Sequence, residues 1–137
     1  MAIDKQTTGM AGEFLVVGQL FKRDFQASLT FGNAKTIDVL VHNPRTGRNL
    51  SVSVKTLRAR NCFQLDPRTV SKDHIYVFVL LNDPETPERF FIVPGRDLVE
   101  DLKKFFGSSL PPASRPAVNF GSLKAYEGKW EYFEERA

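Results

Sequence analysis

The chain has 137 residues, of which 42% are hydrophobic and 26% charged. This length and composition are typical of a globular protein with a buried core, and we expect a single domain over residues 1–137. The net charge of +3 permits a nucleic-acid partner without requiring one. The lone cysteine, Cys62, excludes an internal disulfide and a cysteine-rich metal cluster. Because no apolar run approaches the roughly 18 residues of a membrane span, we expect a cytoplasmic protein without a membrane partner.

The first predicted element is a helix from about Thr8 to Asp24. Apolar residues recur there with a helical period, and they are Met10, Phe14, Val17, Leu20 and Phe21. Thr7 or Thr8 can cap the start of the helix with a side-chain oxygen.

Three strands are predicted after the helix. The segment SLTF is a short strand, and GNAK turns the chain. Apolar and polar residues alternate in TIDVLVH and in NLSVSVKT, and the intervening NPRTG has the composition of a turn, which predicts a hairpin. Alternation places the valines of both strands on one face and Asp38, Ser53 and Lys55 on the other.

The second half of the chain is predicted to complete the sheet. Residues 57–73 form a polar loop with a short helical turn near DPRTVSK, HIYVFVLL is a central strand buried on both faces, and RFFIVP is a further strand. GRDLVEDLKKFF is predicted to be an amphipathic helix, followed by an irregular proline-containing linker over 107–122 and a tail that packs Trp130 and Phe133 onto the body. This order predicts an α/β fold in which helices flank a mixed sheet, with a core over about 8–106 and a linker and tail over 107–137.

One acid and one base on neighbouring strands suggest a chemical site. Asp38 can hold a divalent cation, and Lys55 can orient a water and stabilise the charge of a phosphoryl transition state. Glu13, next to Ala11 and Gly12 on the first helix, is the third candidate, because small residues let a helix approach a sheet closely. The alternative interpretation is a surface ion pair between Asp38 and Lys55, worth at most about 1 kcal/mol.

The segments GEFLVVGQLFKRDF and SLTFGNAKTIDVLVHNPRTGRNLSVSVKT resemble the PD-(D/E)XK nuclease superfamily, which has the restriction-endonuclease-like fold. The similarity covers roughly residues 8–94 and is greatest to the small single-domain members. The family pattern is a helix glutamate, a strand aspartate, and a following strand that ends in an acidic residue, any residue and a lysine. The resemblance implies that Glu13, Asp38 and Lys55 are catalytic, that Glu13 and Asp38 hold Mg²⁺ or Mn²⁺, and that Lys55 positions the attacking water.

Ser53 departs from the family pattern, which places glutamate, aspartate or sometimes glutamine at this position. A serine hydroxyl is a weaker ligand for a hard cation than a carboxylate. Two hypotheses follow. The first is a metal-dependent DNA endonuclease that hydrolyses phosphodiesters, in which Ser53 is part of the catalytic site but makes only an outer contact. The second is a non-catalytic module on the same fold that binds nucleic acid or forms oligomers.

Arginines near the candidate site point to a nucleic-acid interface. Arg45 and Arg48 flank the hairpin turn, and Arg58 and Arg60 follow Lys55. On a nuclease-like face these side chains would contact phosphates, and the equally weighted alternative is that they are solvated loop charges. The resemblance implies DNA as the partner and a homodimer or larger homo-oligomer, because cutting two strands requires two sites.

Overall fold

The structure, a computed structural model, describes residues 4–30 and 37–135. The predicted GNAK turn lies outside the described residues. The helices are α1 (Lys5–Lys22), α2 (Gly95–Glu100) and α3 (Leu102–Phe106), and the strands are β1 (Gln26–Leu29), β2 (Val39–Asn43), β3 (Arg48–Leu57), β4 (Phe63–Gln64), β5 (His74–Leu80), β6 (Arg89–Pro94) and β7 (Ala117–Val118). Short 3₁₀ helices lie at Pro67–Thr69, Gly107–Ser109, Phe120–Tyr126 and Trp130–Phe133.

A five-stranded mixed sheet forms the centre of the fold, with the strand order β1-β2-β3-β5-β6. Strands β3 and β5 are parallel, and the other neighbouring pairs are antiparallel. The residues of β5 after His74 are all buried, which confirms that strand as one covered on both faces. The predicted fold class, a mixed α/β sheet flanked by helices, is confirmed.

Hydrophobic residues cover both faces of this sheet. On one face, α1 packs over the valines of β2 and β3, including Val39 and Val52. On the other face, α2, α3 and the 3₁₀ helix Phe120–Tyr126 pack over aromatic residues such as Phe78 and Phe91, whereas Trp130 and Phe133 join the α1 side. The valines of the hairpin therefore share the face predicted for them, and the residues that alternate with them lie on the opposite face.

The predicted cap and buried face of α1 were wrong. The N-cap is Asp4, whose carboxylate accepts a hydrogen bond from Thr7 N–H at 2.7 Å, so the helix starts before Thr7. Of the predicted stripe Leu20 is buried, but Phe14 and Phe21 are 59% and 53% exposed. Apolar residues surround most of this helix, so their period did not select a single buried face.

The C-terminal third differs in detail from its prediction. The predicted helix after Pro94 is broken at Asp101, whose non-helical φ of −138° and ψ of 64° end α2. Its carboxylate caps α3 by accepting a hydrogen bond from Lys104 N–H at 3.2 Å. The polar loop contains the predicted helical turn, at Pro67–Thr69, and also β4, which pairs with β7 inside the segment predicted to be irregular. In the tail Trp130 and Phe133 are buried on a short helix, as predicted. None of the helices within 4–30 and 37–135 is long and apolar enough to cross a membrane.

Candidate active site

Asp38 is fixed just before β2, between the two neighbouring strands. Its backbone N–H donates to the Val52 carbonyl of β3 at 2.8 Å, and its carbonyl accepts from Thr30 N–H, just after β1, at 3.0 Å. Its carboxylate accepts a hydrogen bond from the backbone N–H of Val54 at 2.7 Å. The Asp38 side chain is therefore held against β3, next to the residue that precedes Lys55.

Glu13 lies near the sheet because α1 approaches β3 closely at Gly12. A Cβ atom added at Gly12 would lie 1.8 Å from Thr56 Oγ1, so this approach requires a glycine. Burial, and after it the negative charge of Asp38, raise the pKa of Glu13 to about 6. The structure therefore brings the carboxylates of Glu13 and Asp38 close enough to repel each other.

Ser53 and Lys55 alternate along β3 with the valines that pack under α1. Ser53 is only 4% exposed, whereas Lys55 is half-buried and lines a groove. Within the described ranges, Lys55 forms no ion pair with Asp38 or with another acid. The alternative of a surface ion pair between Asp38 and Lys55 is therefore not found in the described part of the chain.

The groove beside Lys55 is basic and has two adjoining parts. The first, about 490 Å³, lies between the start of α1 and the end of β3 and includes Arg58. The second, about 540 Å³, extends to Arg115. Lys5, Lys55 and Gln64 line both parts, so the two form one continuous surface. Its lysine and arginine side chains can contact successive phosphates of a nucleic-acid backbone.

Of the two arginines that follow Lys55 in sequence, Arg58 lines this groove, and Arg60 lies two residues further along the same loop. Arg58 Nε donates to Thr8 Oγ1 at 2.9 Å, which ties the guanidinium to the first turns of α1. Arg60 is exposed, and its guanidinium carbon lies 4.7 Å from the centre of the Phe120 ring. Neither guanidinium is neutralised by an acid at ion-pair distance in the described residues.

Arg45 and Arg48 lie at the opposite end of the hairpin and face the C-terminal tail. Arg45 pairs with the Glu134 carboxylate and also donates to the Asp24 carbonyl at 3.0 Å. Arg48 donates to the Glu135 carbonyl. The five residues from Asp38 to Asn43 at the end of β2, at about 3.3 Å each, put the turn roughly 16 Å from Asp38. The structure therefore does not bring Arg45 and Arg48 together with the other predicted site residues.

Lys5, Gln64 and Arg115 line the groove but were not among the residues predicted from sequence. Lys5 was missed because the helix was predicted to begin at Thr8, although the N-cap preference of Asp4 is a signal that could have found it. Gln64 and Arg115 approach each other through the pairing of β4 with β7. That pairing joins segments far apart in sequence, and no local pattern indicates it.

The donor set of the candidate site suits a cation that needs few protein ligands. Glu13 and Asp38 offer carboxylate oxygens, and the described residues contain no group of at least three His, Cys, Asp or Glu side chains placed to hold a metal ion. Mg²⁺ is commonly bound through one or two carboxylates together with substrate phosphates, and it retains several waters. The two carboxylates therefore fit Mg²⁺ better than a metal that requires a closed protein cage.

Comparisons with known proteins give one structural similarity. No protein-family model and no curated protein sequence matches this chain. Among solved structures, the chain is similar to a bacterial homing endonuclease, I-Ssp6803I, with a TM-score of 0.52 and 14% sequence identity. The similarity covers 72% of this chain and 74% of that one. At this identity the comparison supports a nuclease-like fold.

Proposed function

We propose that this chain is a metal-dependent DNA endonuclease of the PD-(D/E)XK superfamily. The observation that carries the proposal is the Asp38 carboxylate, held on the Val54 N–H and close enough to Glu13 to raise the pKa of that acid. Lys55 follows Val54 on β3 and lines the basic groove. The nuclease-like fold, and a structural neighbour described as a homing endonuclease, support the same reaction class.

Glu13 and Asp38 are the proposed ligands of Mg²⁺ or Mn²⁺. The bound cation supplies positive charge that stabilises the developing charge on a transferring phosphoryl group. The Val54 N–H fixes one Asp38 oxygen, so the side chain is oriented before the substrate arrives. Because a nearby cation favours the ionised form of a carboxylate, cation binding should release the proton that Glu13 retains below pH 6.

Lys55 is the proposed contact to the scissile phosphate and to the attacking water. Its ammonium has no acid at ion-pair distance in the described ranges, so contact with a phosphate oxygen requires no salt bridge to break. Lys5, Arg58 and Arg115 extend the positive surface on both sides of Lys55. These groups fix the backbone of the nucleic acid relative to the carboxylates.

A non-catalytic nucleic-acid-binding module is the second candidate. Ser53 favours it, because this buried residue stands where the family has a carboxylate or an amide, and a neutral hydroxyl weakens the cation site. The basic groove would serve this function equally well. The two candidates therefore differ in cleavage and in metal binding, and both predict binding of DNA.

Cleavage of a labelled DNA duplex in Mg²⁺ and in Mn²⁺ tests the first candidate. We expect wild type to cut, and Asp38→Asn and Lys55→Ala each to lose at least about 100-fold in rate. Asp38→Asn retains an oxygen for the Val54 N–H, so the loss reports on the carboxylate charge. The matched control is Asp73→Asn, an exposed acid outside the groove, which should cut like wild type.

The same preparations separate the two candidates. A wild-type protein that binds the duplex but does not cut it in either metal would favour the binding module. Cleavage by Asp38→Asn at the wild-type rate would contradict the proposed site. A wild type that neither binds nor cuts DNA would contradict both functions.

A further inference from the structure

The outward side of α1 carries an exposed apolar stripe. Phe14 and Phe21 are 59% and 53% exposed, and Gly18 between them is also exposed. Their spacing places them in one line along the helix. The opposite side of α1, with Val16 and Leu20, is buried against the sheet. The stripe therefore points away from the body of the protein.

This side of α1 also lacks charge. Between Lys5 and Lys22 the sequence contains one charged residue, Glu13, and that side chain lies near Asp38. A helix with one face in water normally carries charged or polar residues on that face, whereas a helix that is apolar all round is covered on all sides. From Met10 to Phe21, α1 has only Glu13 and Gln19 as polar side chains, yet the described residues bury only one side of this stretch.

We propose that a second copy of this chain covers the stripe, through antiparallel packing of α1 against α1 around a two-fold axis near Gly18. Such an axis places Phe14 of each copy opposite Phe21 of the other, so the same surface is used twice. A Cβ atom added at Gly18 would meet nothing within 4 Å, so the glycine leaves an open notch between the two rings. The notch lets two helix backbones approach closely.

The size and polarity of the stripe fit this occupant. A phenylalanine buries about 150 to 250 Å² when covered, so the half-exposed rings of two copies would contribute roughly 400 Å². Met10, which is partly exposed beside this line, adds to the area, and the total falls in the range of weak, transient interfaces below about 1,200 Å². A charged partner would lose solvation without gaining counter-charges here, whereas a second copy presents an equally uncharged surface. We therefore expect a reversible dimer.

Sedimentation velocity from about 1 µM to about 500 µM tests the proposal, because interfaces of this size associate weakly. The mass of wild type should rise towards that of a dimer with concentration. Phe14→Glu combined with Phe21→Glu should remain monomeric and weaken association at least about 10-fold. The matched control, Val99→Glu, changes a residue of α2 that is 43% exposed and should associate like wild type. Circular dichroism checks that each variant is folded.

Cross-linking identifies the occupant and the orientation. In a Cys62→Ser background, Gly18→Cys should be linked into a dimer by a short bis-maleimide, because the two copies of this position lie near the axis. Thr7→Cys, on the same side but about 16 Å along the helix from Gly18, should not be linked. Linking at both positions would indicate parallel helices and overturn the proposed packing.

Other outcomes overturn the proposal outright. A wild type that is monomeric throughout, or a double variant that associates like wild type, would exclude this surface as a dimer interface. A monomeric wild type that binds anionic vesicles through Phe14 and Phe21 would assign the stripe to a lipid surface. The inference does not depend on nuclease activity, because each of these measurements is made without DNA or metal.

Discussion

The two ends of the β2–β3 hairpin carry the same kinds of basic residue in opposite situations. At the turn end, the chain's own tail holds both arginines: Arg45 forms an ion pair with the Glu134 carboxylate, and Arg48 donates to the Glu135 carbonyl. These contacts fasten the tail to the sheet. A phosphate would have to compete with them.

At the other end the basic groups have no acidic partner among the described residues. Lys55 forms no ion pair, and Arg58 donates to a neutral hydroxyl, that of Thr8. The acids at this end, Glu13 and Asp38, repel each other, and they are not matched to the lysine. The difference shows that basic residues of similar sequence context differ in whether the chain's own contacts already occupy them.

The largest expected effect is on stability, through the close approach of α1 to β3 at Gly12. Gly12→Ala would place a Cβ atom 1.8 Å from Thr56 Oγ1, so α1 or β3 must move. We expect a loss of about 2 kcal/mol in the free energy of unfolding, because overpacking outweighs the better helix propensity of alanine. Gly18→Ala is the matched control, since its Cβ meets nothing within 4 Å and should stabilise the helix by up to about 1 kcal/mol.

Urea denaturation at a concentration where the protein is monomeric measures both variants. If Gly12→Ala gained stability as Gly18→Ala is expected to, α1 would not lie this close to β3. The proximity of Glu13 to Asp38 would then lose its structural basis.

The next effect, on DNA affinity, compares the two ends directly. Arg58→Ala with Arg60→Ala removes charge at the groove, and we expect about 10-fold to 100-fold weaker binding of a short duplex at low salt, with a salt dependence reduced by about two ions. Arg45→Ala with Arg48→Ala removes the same charge at the turn, and affinity should change by less than about 3-fold. Fluorescence anisotropy against salt concentration gives both quantities.

Equal losses for the two double variants would remove the distinction between the ends. An unchanged salt dependence for Arg58→Ala with Arg60→Ala would exclude that loop from the binding surface. A fall in stability of the turn-end variant, without a fall in affinity, would support the structural role of Arg45 and Arg48.

Sequence patterns predicted the parts of the fold that depend on local period. Alternation in β2 and β3, and the apolar run of β5, gave the strands and the face of each valine correctly. Pattern reasoning failed for α1, because apolar residues surround the helix and no single face stands out. It also missed the β4–β7 pairing, because the two segments carry no shared local signal and approach only through the packing of the tail.

In the candidate site, too, local sequence patterns predict some positions and miss the long-range contacts. The positions of Asp38 and Lys55 on neighbouring strands could be predicted from alternation and a turn. The partners of Arg45 and Arg48 could not, because Glu134 and Glu135 lie about 90 residues away in sequence and reach the hairpin only after the whole sheet has formed. Long-range side-chain contacts of this kind leave no pattern in a single sequence.

Ser53→Glu gives a smaller expected effect and tests whether the site lacks a ligand. Ser53 is 4% exposed, so the substitution should cost about 1 to 3 kcal/mol of stability unless the new carboxylate finds a cation or Lys55. If this position is a vacated ligand position, Mg²⁺ or Mn²⁺ affinity should rise about 10-fold. Isothermal titration calorimetry of folded protein measures the affinity.

Two controls make that outcome interpretable. Ser51→Glu introduces the same charge two residues earlier on the same face and should leave metal affinity unchanged. Asp38→Asn in the Ser53→Glu background should abolish the gain. A folded Ser53→Glu protein that binds metal no better than wild type would favour the binding module.

The smallest expected effect concerns the pH dependence set by Glu13. Its pKa is raised to about 6, so at pH 7 the folded state holds an ionised carboxylate against burial and against Asp38. Below about pH 4.5, where the carboxylate is protonated in both the folded and unfolded states, this cost is absent; it develops between the two pKa values and is complete above pH 6. Because Glu13 is only half-buried, we expect this cost to lower the free energy of unfolding by at most about 1 kcal/mol.

Glu13→Gln should therefore be more stable than wild type at pH 7 and equal to it at pH 4. The control Glu100→Gln, which changes an exposed acid of α2, should show no such gain. Urea denaturation at both pH values measures the difference, and a Glu13→Gln protein no more stable than wild type at pH 7 would mean that the two carboxylates do not share one site.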